Sequence, residues 1–303
     1  MVLEDLSDLK HHIGLTHSFT PESFYDTLQV SVLYGAYHFY TSECISQSRY
    51  LTMTVWMITC PREGVSKKRW FKFFEFYDIH KWVLGRETGK GGYKHWQVRF
   101  QTTAFDKADK VEDILEIKEW FKQAHILKAS DTWDYETKSG DYFRNDDNDE
   151  ILLQRFGKFR DVQQRVIETV YGTSDREVVV WCTEEGNVGK SWMCGALWER
   201  REAHYVLPQN TAKGLIQDCA SEVIQNGKRP IIVIDIPRTW KWTEELYCAI
   251  ESIKDGLIKD SRYGSRTINI RGTKLLILCN SRPQLDKLSR DRWVILTGAD
   301  AST

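Results

Sequence analysis

The run Gly186-Asn187-Val188-Gly189-Lys190-Ser191 constrains this chain more than any other feature. It follows an apolar stretch, Val178 to Trp181, and precedes a segment, Trp192 to Arg200, that reads as a helix. A buried strand, a glycine turn ending Gly-Lys-Ser and a helix together make a phosphate cradle. Backbone N–H groups and the helix N-terminus face the anion, the lysine reaches its terminal phosphates, and the serine hydroxyl meets Mg²⁺. This reading assigns Gly186, Asn187, Val188, Gly189, Lys190 and Ser191 to ATP. The usual spacing has a glycine five residues before Gly189, where Glu184 stands. Taken alone, the run has an ordinary glycine turn before a core helix as its less favoured alternative.

A chain of 303 residues is long enough for two domains with separate cores. Its formal net charge of −1 removes any argument from bulk basicity, so contact with nucleic acid has to come from local patches. The seven cysteines (Cys44, Cys60, Cys182, Cys194, Cys219, Cys248 and Cys279) are scattered and never at a metal-knuckle spacing. They are expected as individually buried, reduced thiols in an intracellular compartment, not as a disulfide framework. No apolar run reaches membrane-spanning length, and the N-terminus lacks the plan of a secretion signal. The expectation is a soluble protein, neither membrane-bound nor secreted.

Residues 1–52 mix aromatics with Ser, Thr and His and show no sustained period. They are expected as an extension poorly integrated with the fold, upstream of Met53, which could itself start the chain; an ordinary appended element is the alternative. In residues 53–145, Val55–Thr59, Lys81–Glu87 and His95–Gln101 read as strands. Asp109–Ala124 reads as an amphipathic helix with Val111, Ile114, Leu115, Ile117, Trp120 and Phe121 inward. Residues 146–175 open with an acidic cluster, Asp146-Asp147-Asn148-Asp149-Glu150, expected as a solvated linker between independently folding domains. A helical stretch, Ile151 to Val170, follows as a connecting or oligomerising pair. In residues 176–303 the apolar strands Val178–Trp181, Ile231–Ile234 and Leu275–Cys279 alternate with helical stretches, as in an α/β nucleotide-binding domain.

Ile231 to Asp235 reads as a buried strand ending in a carboxylate, the place where a Mg²⁺-water cluster sits beside a phosphate turn. Leu275–Cys279 ends in Asn280, whose amide can polarise a water attacking the γ-phosphate, or simply form a turn. The segment Ser289 to Trp293 offers Arg290 and Arg292. No arginine stands obviously beside the phosphate turn, so one is expected from a neighbouring subunit. Arg292, beside Trp293, is preferred over Arg290, with a surface salt bridge to Asp291 or Asp286 as the alternative. Between acid and amide lies a cationic hairpin, Lys259 to Arg271. Its Lys259, Arg262, Tyr263 and Arg266 suit phosphate and base contacts to single-stranded DNA, or an ordinary solvated hairpin.

In the first half, strand alternation puts His95, Gln97 and Arg99 on one face, with Glu87 eight residues upstream on the adjoining strand. Glu87, His95 and Gln97 make a hard, mixed ligand set suited to Mg²⁺ or Mn²⁺. In Tyr135-Glu136-Thr137-Lys138, a helical turn would put Tyr135 and Lys138 on one face. The phenol could then attack a phosphodiester while the ammonium steadies its charge. Tyr142, seven residues on, is the alternative nucleophile.

In this order, the motifs resemble those of the replication-initiator (Rep) proteins of circular single-stranded DNA (CRESS-DNA) viruses. Ile58 to Pro61, Gly85 to Glu87 with Gly92 to Gln97, and Tyr135 to Lys138 look like that family's three endonuclease motifs. Gly186 to Ser191, Ile234 to Arg238, Cys279-Asn280 and Ser289 to Trp293 look like its helicase motifs. The resemblance spans about residues 53–297, and its Trp- and Tyr-rich style leans toward smacovirus-like members. Glutamine at 97 replaces a second histidine, Thr183 and Glu184 stand where glycine is frequent, and only one acid ends the second helicase strand. The resemblance implies an α+β HUH-type endonuclease, an antiparallel sheet with helices, followed by an α/β P-loop superfamily 3 helicase. It further implies nicking and rejoining of single-stranded origin DNA through a phosphotyrosine, ATP-driven unwinding by a homo-oligomeric ring, and hand-over to host DNA polymerase machinery. Location would be the nucleus of a eukaryotic host, or otherwise the cytoplasm. A P-loop ATPase or helicase without nicking, and a DNA-binding descendant without chemistry, remain as alternatives.

Overall fold

The computed structural model describes residues 53–105, 111–262 and 264–298; the expectations for residues 1–52, Cys44 and Tyr263 lie outside them. Met53–Thr303 forms one compact unit built on two five-stranded sheets. The first sheet is antiparallel, in the order β4-β1-β3-β2-β5, from β1 (Thr54–Pro61), β2 (Lys81–Thr88), β3 (Lys94–Thr102), β4 (His125–Lys128) and β5 (Tyr142–Arg144). Helices α1 (Lys67–Phe76) and α2 (Val111–Trp120) accompany it. Ser66 caps α1 by accepting from the Arg69 amide at 3.3 Å, and the helix buries Trp70, Phe73 and Phe74. The core there is aromatic, with Trp70 stacked on Phe121 at 3.7 Å between centroids and Phe73 edge-on to Phe100 of β3.

Alternation along β3 holds, yet the polar face is not solvated. Gln97 and Arg99 are buried because a 3-10 turn, Tyr135–Thr137, lies over them, and Arg99 pairs with buried Glu136 at 2.9 Å. The wide apolar face expected for α2 is corrected. Ile117 and Phe121 are buried in line with Asp113 at i, i+4 spacing, whereas Val111 and Leu115 are 69% and 55% exposed. Only a narrow stripe of the helix meets the aromatic core.

The second sheet is parallel, in the order β12-β6-β11-β8-β7. Its strands are β6 (Val178–Cys182), β7 (Ala203–Val206), β8 (Ile231–Asp235), β11 (Lys274–Cys279) and β12 (Trp293–Leu296); β9 (Leu257–Asp260) and β10 (Arg266–Asn269) form a separate hairpin. Continuous apolar runs fit strands covered on both faces. Val179, Trp181 and Leu278 pack with α4 (Asp161–Gly172) and α5 (Lys190–Glu199). Val178, Val180 and Ile277 pack with α6 (Ala212–Asn226) and α7 (Glu244–Asp255). Among the described residues, no helix is long and apolar enough to cross a membrane.

The acidic cluster is exposed except at Asp147, yet it is built into the fold and is not a free linker. The Asn148 side chain caps α3 (Asp149–Phe156), accepting from the Ile151 amide at 2.9 Å, and Asp149 and Glu150 occupy its first turn, where the helix dipole favours them. Asp147 turns inward to Arg155, which is 3% exposed and also bonds Glu199 at 2.7 Å and the Tyr142 carbonyl at 3.0 Å. The Tyr142 hydroxyl donates to Glu199 at 2.8 Å. Burial opposes the charge on Arg155, but Asp147 and Glu199 outweigh it and hold the guanidinium ionised. This cluster joins the two sheets and removes the basis for independently folding halves. Arg155→Ala would leave both carboxylates buried without a cation, so urea denaturation should show a loss of about 3–5 kcal/mol.

Candidate functional site

One cluster of the anticipated residues forms where β2 and β3 pair. Glu87 lies opposite His95 and Gly85 opposite Gln97 in the ladder, so the ligand candidates stand side by side. His95 Nε2 lies 3.6 Å from Glu87 Oε2. The His95 ring is also stacked on Tyr93, 5.4 Å between centroids. Lys138 then joins this pair to the tyrosine: its ammonium is 3.0 Å from Glu87 Oε2 and stands 3.4 Å over the Tyr135 ring. The 3-10 geometry, which eclipses positions i and i+3, brings Tyr135 and Lys138 together. Burial works to lower the pKa of Lys138, but its bonds to Tyr135 and Glu87 outweigh that and raise it above the usual lysine value. The lysine therefore stays charged.

Gly85 permits the assembly. A Cβ there would overlap the Glu136 carbonyl oxygen, so the tyrosine turn rests directly on β2, two residues from Glu87. Tyr135 is 53% exposed, whereas Tyr142 is 2% exposed, donates to Glu199, and has its hydroxyl pushed up by burial to about 12. Tyr142 is thereby excluded as a nucleophile.

Among the described residues, no three His, Cys, Asp or Glu side chains converge as a metal-holding group. The local donor set is two such groups and an amide. Glu87 Oε1 and Gln97 Nε2 are buried without partners, while Gln97 Oε1 accepts from Thr59 Oγ1 at 2.7 Å. Turning that amide by 180° keeps a bond to Thr59 and leaves the oxygen unpaired. An orphaned carboxylate oxygen and an amide oxygen so freed fit a hard divalent cation.

The second cluster lies at the carboxyl ends of three adjacent strands. In the register, Cys182 of β6 faces Cys279 of β11, and Leu278 of β11 faces Asp235 of β8. Lys190, the first residue of α5, donates to Thr183 O at 3.1 Å, Cys279 O at 2.7 Å and Asn280 Oδ1 at 2.9 Å. Burial lowers its pKa, with Cys279 and Asp235 opposing; burial raises that of Asp235, with Lys190 opposing. Ser191 and Asp235 line a cavity of about 350 Å³ with Tyr205 and Trp198. Gly189, at φ 91°, caps α5 in a conformation that favours glycine, and Asn187 is also left-handed at φ 61°. Gly186 and Val188 complete the turn.

Three side chains that the sequence reading did not single out brace this turn. Gln163 Nε2 donates to Gly189 O at 2.8 Å, Arg160 to Asn187 O at 3.2 Å, and Arg238 to Glu184 O at 2.8 Å. The expectation that no arginine stands beside the turn is therefore overturned by Arg160 and Arg238. Arg238 was within reach of sequence reasoning, three residues after Asp235; Arg160 and Gln163 carried no local signal.

Other placements differ as well. Arg292 is 6% exposed and tied to Asp255 at 3.0 Å and Glu251 at 3.5 Å, so its guanidinium is engaged within the chain. Asp291 pairs with Arg176 instead. Arg290 is exposed. The cationic hairpin forms as β9–β10 with Lys259 and Arg266 exposed, but Arg262 is engaged by Asp260 at 3.0 Å and Asp218 at 3.2 Å. Five of the cysteines are buried free thiols, while Cys248 is exposed.

No protein-family model matches the chain, and no curated protein matches it. Gly85→Ala must push the Glu136 backbone away, so chemical denaturation should register a loss of about 1–3 kcal/mol.

Proposed function

We propose that the chain is a rolling-circle replication initiator that nicks and rejoins single-stranded DNA through Tyr135 and hydrolyses ATP at Lys190. The observation that carries the reading is Lys138 standing between Glu87 and the exposed ring of Tyr135. It joins a carboxylate–imidazole–amide set to a nucleophile from a distant segment. Glu87, His95 and Gln97 would hold Mg²⁺ or Mn²⁺, which supplies Lewis-acid polarisation of a bound phosphodiester. Tyr135 Oη attacks phosphorus as its proton passes to solvent water, which returns a proton to the departing O3′, and the ammonium of Lys138 steadies the phenolate. A tyrosine–phosphate bond forms and the bond to O3′ breaks. That oxygen takes up a proton, giving a free 3′-OH that a host polymerase can extend. Rejoining reverses these steps with the same ester.

At the strand tips, Lys190 would neutralise the terminal phosphates of ATP, Ser191 and Asp235 would bind its Mg²⁺, and Asn280 would orient the attacking water. Arg160 and Arg238 are the arginines nearest the turn. Arg290 is the remaining candidate for supply across a ring, and Lys259 and Arg266 for phosphate contacts on the hairpin. The family resemblance extends this reading to origin DNA, a homo-oligomeric ring and a host nucleus where the host is eukaryotic. A P-loop ATPase without nicking is the second reading, favoured only by the three oxygens gathered on Lys190.

Incubation with a labelled single-stranded origin oligonucleotide and Mn²⁺, followed by a denaturing gel, should show a covalent protein–DNA adduct. Tyr135→Phe and EDTA should each abolish it, Tyr135→Phe without loss of oligonucleotide binding; an undiminished adduct in Tyr135→Phe would place the nucleophile elsewhere. Lys190→Ala should abolish ATP hydrolysis, and an ATPase assay in which it retains parental turnover would remove Lys190 from the mechanism.

A further inference from the structure

The helix that begins at Lys190 ends against the turn that carries Tyr135. Arg201, two residues past the end of α5, donates to Asp134 Oδ1 at 3.2 Å and to Thr137 Oγ1, so it grips the 3-10 turn on both sides of Tyr135. Its neighbour Arg200 lies so close to Gly140 that a Cβ there would overlap the Arg200 carbonyl; Gly140 accordingly has φ 71°. Behind them, Glu199 binds Tyr142 and Arg155. Three consecutive residues, the last of α5 and the two that follow it, thus support the segment that presents the tyrosine.

Arg201 carries several unfavourable features where it stands. Its backbone is left-handed at φ 60°, a region that disfavours side chains larger than glycine or asparagine. Its Nε is buried with no hydrogen-bond partner. The nearby, buried Arg229 repels it: burial first and Arg201 next bring the pKa of Arg229 down to about 10. Against these stand its bonds to Asp134 and Thr137 and its place 5.8 Å over the Trp198 ring. Local strain of this kind concentrates where a group must be held for function.

We propose that Arg201 is a positioning residue for Tyr135, holding the tyrosine turn from the nucleotide-domain side so that its phenol meets Lys138 and Glu87 in register. This rests on the nicking reading above. Misplacement of a reacting group by about 1 Å can cost on the order of 100-fold in rate, so the effect should fall on the chemical step and spare DNA affinity.

The test uses the full chain with Arg201→Gly and Arg201→Lys. Single-turnover cleavage of the single-stranded origin oligonucleotide is measured beside its Kd, the Tm, and hydrogen exchange of amides 134–138. Arg201→Gly relieves the backbone strain and the repulsion, so its Tm should not fall. Cleavage should nevertheless slow roughly 10- to 100-fold at unchanged Kd, with faster exchange in the turn, and Arg201→Lys should regain most of the rate. Parental cleavage and exchange in Arg201→Gly would overturn the proposal, as would a rate loss that merely tracks a lowered Tm and is not restored by lysine. If the parent chain forms no adduct, the nicking reading fails and the catalytic consequence with it. The exchange measurement then still decides whether Arg201 holds the turn.

Discussion

Burying the Arg155 guanidinium imposes more order on this molecule than any other single contact. A cation in that setting is tolerated only when carboxylates and carbonyls surround it, and here Asp147, Glu199 and the Tyr142 carbonyl do so. The partners come from the turn after β5, the last residue of α5 and β5 itself. Satisfying one charge therefore fixes the end of α5 against the edge of the antiparallel sheet. Side chains carry the constraint from α5 to β5, and since β5 pairs with β2, which carries Glu87, hydrogen-bonded backbone passes it on within the antiparallel sheet. The two clusters are parts of one framework.

The same logic explains why a lysine can stand at the amino end of α5. A cation there is repelled by the helix dipole, by about 0.3–1 kcal/mol at exposed sites, and burial adds to the cost. The chain offsets both with three oxygens at the tips of neighbouring strands. Parallel strands deliver those oxygens because their carboxyl ends lie together, and the order β6-β11-β8 puts Thr183, Asn280 and Asp235 next to one another.

Features set by local pattern were legible from the sequence. Val178 to Trp181 and Leu275 to Cys279 read as strands because every position is apolar, as strands buried on both faces require. The alternation at His95 and Gln97 was equally plain. What stayed hidden depends on partners far along the chain. Nothing near Asp147 announces that Arg155 will turn back to neutralise it and Glu199 together, so repulsion within the acidic run looked decisive. Arg292 and Arg262 were read as free cations because Asp255 and Asp218 approach them only after folding. Gly85 stood in plain view, but its necessity comes from the Glu136 backbone crossing above it. The contrast between Tyr135 and Tyr142 is likewise one of burial, which spacing does not encode.

Helix α5 meets opposite electrostatic demands at its two ends. At its start, the dipole's positive end coincides with a left-handed glycine and with Lys190, whose ammonium is held by three strand-tip oxygens. At its end, the Trp198 carbonyl accepts from Arg229, whose guanidinium also binds the Ala203 carbonyl, and Arg155 closes on Glu199. Cations at the negative end of the dipole stabilise the helix, and they also satisfy carbonyls that the last turn leaves open. A helix of ten residues is only about 15 Å long, short enough to behave as a strut. Anchored by arginines at one end and by strand-tip oxygens at the other, it gives the tyrosine turn a fixed support.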